Sequence, residues 1–424
     1  MLLRPAVIVV FLAFALPLAA QTSSFVTVKR HQLNLAGKPY YFVGTNYWYG
    51  ALLGKEKKAR LSKELDFLKA NGVTNLRLMA GAEGEGPMNG VTRVGPPLHL
   101  ENSISLGALA GLDFVLAEMG KRKMKAVIFL SNNWEWSGGF QQYLIWHKVI
   151  PDRWLTTKPT WDELRDNVAK FYSCTPCMDD YALRARSVIN RMNLVTRQKY
   201  VDDPTIMAWE LANEPRPMRP AANDDYKAWI ADTAAMIKEL DSKHLVTIGH
   251  EGRIGTESLE IFEEIHADPN IDYLTIHIWP KNWAWFAPEK MAEEYSKAEA
   301  MTGAYIMQHA VVAAKLKKPL VIEEFGLPRD AYSFDPASPT LLRDRYYSKV
   351  LSYVKTTPNI AGANFWAFGG AARPIKGQLF WKPGDEYMGD PPMEEQGLYT
   401  VFDRDRSTWR VIGSAARRVS RGGR

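Results

Sequence analysis

The chain has 424 residues, 46% of them hydrophobic, which is enough to bury the core of one large domain or of two ordinary ones. Its formal net charge is +6, but residues 406–424 contain six arginines and no acidic residue, which accounts for the whole excess. The rest of the chain is close to neutral, and this argues against nucleic acid as a partner.

The first twenty residues are typical of a secretory signal peptide. They hold an early Arg4, an apolar run from Ala6 to Leu16, and small residues ending at Ala20, after which we expect cleavage. The apolar run is shorter than the about 20 residues that a membrane-spanning helix needs. The sequence therefore predicts a secreted protein, extracellular or periplasmic, with no membrane insertion after cleavage.

Apolar, strand-like segments then alternate with amphipathic, helix-like segments. The first strand candidate, PYYFVGTNYW, precedes ARLSKELDFLKANG, in which Leu61, Leu65 and Leu68 lie on one helical face and Gly72 ends the helix. The same alternation repeats to the end of the chain. The other strand candidates are VTNLRLMA, KAVIFLSN, PTIMAWELANEP, HLVTIGHEG, IDYLTIHIW, PLVIEEFG and IAGANFWAFGG.

Eight apolar strands separated by helices favour a parallel sheet covered by helices. The length and the count of units fit a (β/α)8 barrel, or TIM barrel, with insertions. The alternative is an open doubly wound sheet with a second domain, but no glycine-rich nucleotide-binding motif follows the first strand. We therefore predict one catalytic domain over residues 21–415 and a solvated, partly frayed basic tail over residues 416–424.

The two cysteines, Cys174 and Cys177, stand in the segment SCTPC. Export permits a disulfide between them. The same spacing occurs in redox and metal sites, but no second CxxC or histidine pair is present to complete such a site. We expect no metal and no cofactor.

Polar residues at the strand ends carry the functional signal, because the active site of a barrel lies at the carboxyl ends of its strands. Glu214 and Glu324 end the fourth and seventh strands, which face each other across the barrel mouth. Hydrolysis of a glycosidic bond needs one carboxylic acid to protonate the leaving oxygen and one carboxylate to attack or to activate water. The other strand-end residues are Asn46, Trp48, Arg77, Asn132, Asn133, Trp134, Asn213, His250, Glu251, His277, Trp279, Glu323 and Trp366.

Two neighbouring glutamates, Glu323 and Glu324, end the seventh strand. Side chains alternate between the two faces of a strand, so only one of the pair is expected to point into the mouth. The strand pattern alone does not decide which one.

The chain has fourteen tryptophans, and many of them lie in predicted loops. Pyranose rings stack on aromatic faces, so loop tryptophans favour a sugar-binding cleft. About half are expected to be core residues, including Trp209 and Trp229. The loop candidates are Trp134, Trp136, Trp146, Trp154, Trp279, Trp283, Trp285, Trp366 and Trp381.

Several motifs together resemble glycoside hydrolase family 5 of clan A: NLRL, WELANEP, HIW, IEEFG and NFWAFGG. LSNNWEWSGGFQQY, NEPR and HIWPKNW resemble the endo-β-1,4-mannanase subfamily, and the resemblance covers nearly the whole chain after the signal. It implies a retaining mechanism with Glu214 as acid/base and Glu324 as nucleophile. In the family the nucleophile directly precedes an aromatic–glycine pair, here Phe325-Gly326.

The resemblance also implies a set of sugar-binding residues. Asn213 would bind the 2-hydroxyl at the cleavage point, Arg77 would keep Glu324 charged, and Trp366 would form the floor of the sugar site. Many relatives have a tyrosine that bonds the nucleophile at the position of Trp279, so the donor in this chain is left open. The full predicted set is Trp48, Arg77, Trp134, Asn213, Arg216, His277, Trp279 and Trp366.

The function expected from the sequence is a monomeric, secreted endo-β-1,4-mannanase that cuts mannan, glucomannan and galactomannan. An exo-acting β-mannosidase or another β-1,4-glycanase, such as a cellulase, fits the same residues. The long loops at residues 83–101 and 380–396 are able to wall off one end of the cleft. The alternative of a different class is a carbohydrate-binding protein without catalysis.

Overall fold

The computed structural model describes residues 24–420, so the predicted signal peptide lies outside the described residues. The centre of the molecule is an eight-stranded sheet, and each strand falls within one of the eight segments predicted from the sequence. The strands are β1 (Phe42–Asn46), β2 (Asn75–Met79), β3 (Lys125–Phe129), β4 (Ile206–Glu210), β5 (Leu245–Thr247), β6 (Leu274–Ile278), β7 (Leu320–Phe325) and β8 (Ile360–Phe365).

The strands are ordered β5-β4-β3-β2-β1-β8-β7-β6, and every ladder is parallel. Isolated hydrogen bonds bring β5 and β6 together. The amide of Asp272 donates to the Val246 carbonyl at 2.8 Å, and the Thr247 hydroxyl donates to the Tyr273 carbonyl at 2.9 Å. The sheet is thus a nearly closed barrel, and the predicted (β/α)8 fold is confirmed.

Helices surround the barrel and connect its strands. Two of the helices approach each other closely at Gly54 and Gly111, where a Cβ on Gly54 would stand 2.2 Å from the Gly111 carbonyl oxygen. The helices are α1 (Gly50–Glu56), α2 (Lys58–Ala70), α3 (Leu106–Lys121), α4 (Gly139–Trp146), α5 (Trp161–Val168), α6 (Thr175–Ile189), α7 (Asn223–Leu240), α8 (Arg253–Thr256), α9 (Leu259–Ala267), α10 (Met291–Leu316), α11 (Leu341–Tyr353) and α12 (Arg406–Ser420).

A small sheet covers the amino-terminal end of the barrel. Its strands are Val26–Lys29, Gln32–Leu35 and Lys38–Pro39. Val26 and Leu33 pack in one apolar cluster with residues near the starts of the barrel strands, among them Phe42, Met207 and Val321. This end is therefore sealed by hydrophobic packing, and the opposite end is left for a polar site.

Short strands outside the barrel shape the loops at its open end. Two are hairpins, one within the 83–101 loop and one that begins in this loop and ends at Ile104, and the third is a parallel pair that follows β8. They are Pro87–Met88 with Val91–Thr92, His99–Leu100 with Ser103–Ile104, and Phe368–Gly370 with Val401–Phe402.

The carboxyl-terminal segment differs from the prediction of a frayed tail beginning at residue 416. Helix α12 continues through that position to Ser420, because Ala416 and Val419 lie on its buried face with Trp409 and Ile412. The arginines occupy the other face of the helix. The predicted domain boundary therefore falls inside a packed helix, and residues 421–424 lie outside the described part.

Cys174 and Cys177 are joined by a disulfide at the start of α6. The Cys174 sulfur also accepts a hydrogen bond from the Cys177 amide, so it caps the helix. Trp209 and Trp229 are buried, as predicted. Among the helices in residues 24–420, none is both long and apolar enough to cross a membrane.

Candidate active site

A cleft of about 350 Å³ opens at the carboxyl ends of the barrel strands. Glu214 follows β4, and Glu324 lies within β7 on the opposite wall. The cleft lining consists of tryptophans, carboxylic acids and a few amides. The residues are Trp134, Trp136, Trp161, Asn213, Glu214, Arg216, Glu251, Ile254, Trp279, Asn282, Trp283, Glu324, Trp366 and Glu394.

The segment after β4 turns sharply at the cleft. Glu214 has a φ of +51°, in the left-handed region that side chains other than glycine seldom occupy, and its amide donates to the Gly249 carbonyl at 2.9 Å. Pro215 follows and has no amide hydrogen for a strand ladder. The left-handed turn ends the strand and presents the Glu214 carboxyl to the cleft, which agrees with the concentration of such conformations at functional sites.

Arg77, at the centre of the open end, is fully buried. It donates from Nε to Glu210 Oε2 at 2.9 Å, from Nη1 to Asn46 Oδ1 at 3.1 Å, and from Nη2 to Asn213 Oδ1 at 2.7 Å. Nη2 also donates to Glu210, and Nη1 donates to Glu324. These bonds use the five N–H groups of the guanidinium. Arg77 therefore fixes four residues that come from three strands or their ends, β1, β4 and β7.

Glu214 has hydrogen-bonding partners on both sides of its carboxyl. His277 Nδ1 lies 2.6 Å from Oε1, and the Trp134 indole donates to Oε2. Burial raises the pKa of Glu214, while Arg216 and the indoles of Trp134 and Trp279 act in the opposite direction. A raised pKa is what a general acid requires near neutral pH.

Glu324 is held by Arg77 and lies next to His277, whose Nδ1 is 3.3 Å from Glu324 Oε2. Burial raises the pKa of Glu324, and the adjacent guanidinium opposes that rise. Burial and Arg77 also lower the pKa of His277 well below its usual value, so the imidazole is neutral. One atom each from Glu214, His277 and Glu324 lie within 4.8 Å of one another.

Both neighbouring glutamates of β7 lie near Arg77, but only Glu324 points into the mouth, in agreement with the expectation that one of the pair does so. The ladder between β6 and β7 pairs Ile276 with Ile322 and then His277 with Glu324, so Glu323 is an extra residue in β7. Such a bulge brings successive side chains to one side of the strand. Glu324 lines the cleft, whereas Glu323 lies fully buried beneath it.

Arg216 stands on the cleft wall beside the catalytic pair. It donates from Nη2 to Glu251 Oε1 at 2.6 Å, and its guanidinium carbon lies 4.9 Å from the centre of the Trp134 ring. Its amide donates to Asn133 Oδ1 at 3.3 Å. Trp134 is therefore held between an arginine and Glu214.

Trp279 and Trp366 form an edge-to-face pair on the cleft, with ring centres 5.7 Å apart. The Trp366 indole nitrogen is buried and has no hydrogen-bonding partner among the described residues. The Trp279 indole opposes the burial that raises the pKa of Glu214.

Trp48 is the predicted sugar-binding residue that does not reach the cleft. It is 1% exposed, and its indole donates to the Gly389 carbonyl at 2.8 Å. Its ring packs edge-to-face on Trp136, which does line the cleft, with centres 5.5 Å apart. Trp48 therefore supports the cleft wall from behind. Arg77 and His277 are fully buried and also lie outside the cleft lining. The other five predicted residues line the cleft: Trp134, Asn213, Arg216, Trp279 and Trp366.

Four residues that sequence reasoning did not single out belong to the site. Glu210 is the main partner of Arg77, but within an apolar strand it had no distinguishing pattern. Trp161 is 51% exposed and stacks on Trp134, with centres 6.3 Å apart. Asn282 and Glu394 reach the cleft from long loops, for which sequence periodicity gives no signal.

A family model described as GH family 5 beta-mannosidase-like matches residues 23–423. The chain belongs to glycoside hydrolase family 5. This confirms the resemblance identified from the strand-end motifs, and it makes the protein an enzyme that hydrolyses glycosidic bonds.

Among the family 5 relatives, mannan endo-1,4-beta-mannosidase 7 of Arabidopsis thaliana is 30% identical over 416 residues, 95% of this chain and 87% of that protein. A crystal structure of a family 5 mannosidase from Rhizomucor miehei is also 30% identical, with a TM-score of 0.83, and the match covers 94% of this chain and 98% of that chain. An endo-beta-1,4-mannanase from Thermotoga petrophila shares the fold at 23% identity, with a TM-score of 0.66 over 92% of this chain and 78% of that one.

Proposed function

We propose that the protein hydrolyses internal β-1,4-mannosidic bonds in mannan, glucomannan and galactomannan with retention of configuration. The observation that carries the mechanism is the short separation of Glu214 and Glu324, whose nearest carboxyl oxygens lie within 4.8 Å of each other. Retaining glycosidases have carboxyls about 5 Å apart, whereas inverting enzymes need about 6.5 to 9.5 Å to admit a water molecule.

The reaction has two steps. Glu324, ionised beside Arg77, attacks the anomeric carbon while the Glu214 carboxyl proton passes to the leaving glycosidic oxygen. Glu214, now ionised, removes a proton from water, and the resulting hydroxide displaces Glu324 and restores both carboxyls. The neutral His277, in contact with both glutamates, adds no positive charge that would compete with Arg77 for Glu324.

The mannan substrate is supported by the cleft lining and by the curated relatives. Trp366 and Trp279 supply apolar faces, and Asn213 places an amide on the same cleft for hydroxyl groups. Trp161, stacked on Trp134, extends the aromatic surface out of the cleft, as binding of a longer chain requires. The Arabidopsis relative is named for endo-cleavage of mannan.

Removal of single mannose units from a chain end is a second candidate, and a specific observation favours it. Residues 380–396 bring Glu394 to the cleft wall, and Asn282 from the loop after β6 lines the same cleft. Burial and the nearby Asp390 and Glu214 raise the pKa of Glu394 to about 8, so its neutral carboxyl is able to donate to a terminal sugar hydroxyl. The Rhizomucor miehei protein, at 30% identity, is named a mannosidase.

Digestion of reduced mannohexaose tests both candidates. If the protein cleaves internal bonds, the first products are expected to be di- and trisaccharides. Mannose as the only first product would establish attack at the chain end. Proton NMR of the first products gives the anomeric configuration, and retention is expected. Cellohexaose in parallel tests the cellulase alternative, and binding of mannohexaose without turnover would establish a carbohydrate-binding protein.

We also propose that the protein is exported, and the signal-like sequence of residues 1–20 supports this. We further propose that the protein is a monomer. Amino-terminal sequencing of the protein recovered outside the cytoplasm is expected to begin at Gln21. A mature protein that begins at Met1 would contradict export through cleavage, and sedimentation velocity gives the oligomeric state.

A further inference from the structure

The proposed mechanism uses Glu324, one of the three carboxyls that surround Arg77. The other two, Glu210 and Glu323, are each 0% exposed and do not line the cleft. Ionising all three around one buried guanidinium would be costly, because buried charges that are not paired and hydrogen-bonded are unfavourable. The structure shows which of the three receives no hydrogen bond from the guanidinium.

Glu210 is bound by Arg77 through both carboxylate oxygens, as described above. It is also fixed from the opposite side by the backbone at Gly249, where a Cβ would stand 2.1 Å from Glu210 Oε1. Bidentate pairing with a guanidinium is the geometry of an ionised carboxylate. Glu210 is therefore an anion held in one position.

Glu323 receives no hydrogen from Arg77, whose five N–H groups are committed to other acceptors. Its Oε2 lies 3.8 Å from Arg77 Nε and 3.6 Å from His277 Nε2, beyond hydrogen-bonding distance. Neither carboxyl oxygen of Glu323 has a donor among the described residues. An ionised carboxylate in that position would be buried without a hydrogen bond from the guanidinium.

Arg77 Nε lies 3.8 Å from Glu323 Oε2 and 2.9 Å from Glu210 Oε2, so the two carboxyls are neighbours at one atom of the guanidinium, and Glu210 is the acceptor there for a hydrogen bond from Glu323. Two carboxyls form such a bond when one of them carries the proton, and Glu210 is the member that Arg77 keeps ionised. The groups that face Glu323 from the neighbouring strands are Arg77, Glu210, Tyr273, Thr275, His277 and Glu324.

We propose that Glu323 is a positioning residue that stays protonated through the catalytic cycle, donates its carboxyl hydrogen to Glu210, and so holds the Glu210–Arg77 pair in register with the nucleophile Glu324. The inference rests on the proposed function for the identity of the nucleophile. Burial and the Glu210 charge both raise the pKa of Glu323, in agreement with this assignment.

The protonation state has a direct test in the infrared spectrum of the whole protein. Wild type is expected to show the C=O stretching band of a buried, protonated carboxyl at neutral pH, and this band disappears in Glu323→Gln. In Glu210→Gln the band remains but shifts, because its acceptor changes from a carboxylate to an amide. A wild-type spectrum with no band lost in Glu323→Gln would overturn the proposal.

The positioning role is tested by a pair of substitutions at the same residue. Glu323→Ala leaves Glu210 without its donor, and kcat on mannan is expected to fall on the order of tenfold with little change in KM, since misplacing Arg77 affects the transition state. Glu323→Gln restores most of kcat, because its amide still donates to Glu210. Equal losses in the two variants would show that an ionised Glu323 is required.

The two readouts separate this inference from the proposed function. The infrared band needs no substrate, so it is measured even if wild type fails to hydrolyse mannan. If the wild-type protein does not hydrolyse mannan, only the proposed function is rejected. If no infrared band is assigned to Glu323, only the proposed role of Glu323 is rejected. If Glu323→Ala does not fold, the comparison of wild type with Glu323→Gln still decides the protonation state.

Discussion

The indole N–H of Trp134, in the loop after β3, donates a hydrogen bond to Oε2 of Glu214, in the segment after β4. This contact couples a residue of the cleft wall to the proposed general acid. The hydrogen bond favours the ionised carboxylate and so lowers the pKa of Glu214 against the effect of burial. Trp134 therefore has an electrostatic role in addition to its aromatic surface.

Trp134→Phe is expected to keep the ring and to remove the donor. The pKa of Glu214 then rises, and because the first step needs protonated Glu214, the alkaline limb of kcat/KM moves up by about one pH unit. The control is Trp161→Phe, which alters the stacked neighbour and leaves the hydrogen bond intact. A limb that stays in place in Trp134→Phe, or moves down, contradicts this role.

The two catalytic glutamates are expected to respond differently to the leaving group. Glu214→Ala lowers activity on mannan by about 10³-fold but leaves the first step on a dinitrophenyl mannoside nearly unaffected, since that leaving group needs no proton. Glu324→Ala loses activity on both substrates. Mass spectrometry after treatment with a 2-fluoro mannoside is expected to find the adduct on Glu324, and an adduct on Glu323 would contradict the assignment.

The protonated state of Glu323 also makes a prediction about stability. Its pKa is raised in the folded protein, so its favourable contribution is full below the unfolded pKa of about 4.3 and is lost as pH rises toward the folded value. Glu323→Gln lacks this titration. Its Tm relative to wild type is therefore expected to increase from acid to neutral pH, and a Tm difference that falls or stays constant contradicts a raised pKa.

The extent to which the sequence predicts this site depends on the location of each residue. The strand-end rule places Glu214 and Glu324 correctly, because apolar runs mark the eight strands and the family motifs mark their ends. The rule does not detect Glu210, which lies inside a strand. For Glu323 and Glu324 the strand pattern leaves open which one enters the mouth, and it gives no sign of the bulge in β7 that brings both near Arg77, because the bulge is set by pairing with β6.

Loop residues show a different limit of the sequence. Glu394 is separated from Glu214 by 180 positions, so its place on the cleft wall depends on how the 380–396 loop folds back over the barrel.

The charge of the basic carboxyl-terminal segment predicts a frayed end. Its helix is packed because the apolar residues of the same segment recur at helical spacing, a pattern that the arginine count concealed.

Trp161 is expected to bind the part of a long substrate that extends out of the cleft. Its ring is 51% exposed at the start of α5, where Thr160 and Glu163 form a capping box that fixes the turn. Trp161→Ala is expected to raise KM for polymeric mannan about fivefold, corresponding to about 1 kcal/mol of stacking, without affecting mannobiose. Leu341→Ala, at a 75% exposed residue on α11, is the matched control, and equal effects on both substrates would contradict the assignment.

The bond between Cys174 and Cys177 is expected to stabilise the fold modestly, because it closes a very short loop. The loop-entropy relation gives about 2 kcal/mol for such a loop. Cys174 also caps α6 through its sulfur, so two substitutions separate the contributions. Cys174→Ser loses the disulfide and keeps a side-chain acceptor, whereas Cys174→Ala loses both and is expected to be less stable by about a further 1 kcal/mol in urea unfolding. Equal stability of the two variants would show that the capping contact does not stabilise the fold. If a reductant leaves the stability of the wild-type protein unchanged, the disulfide does not stabilise the fold.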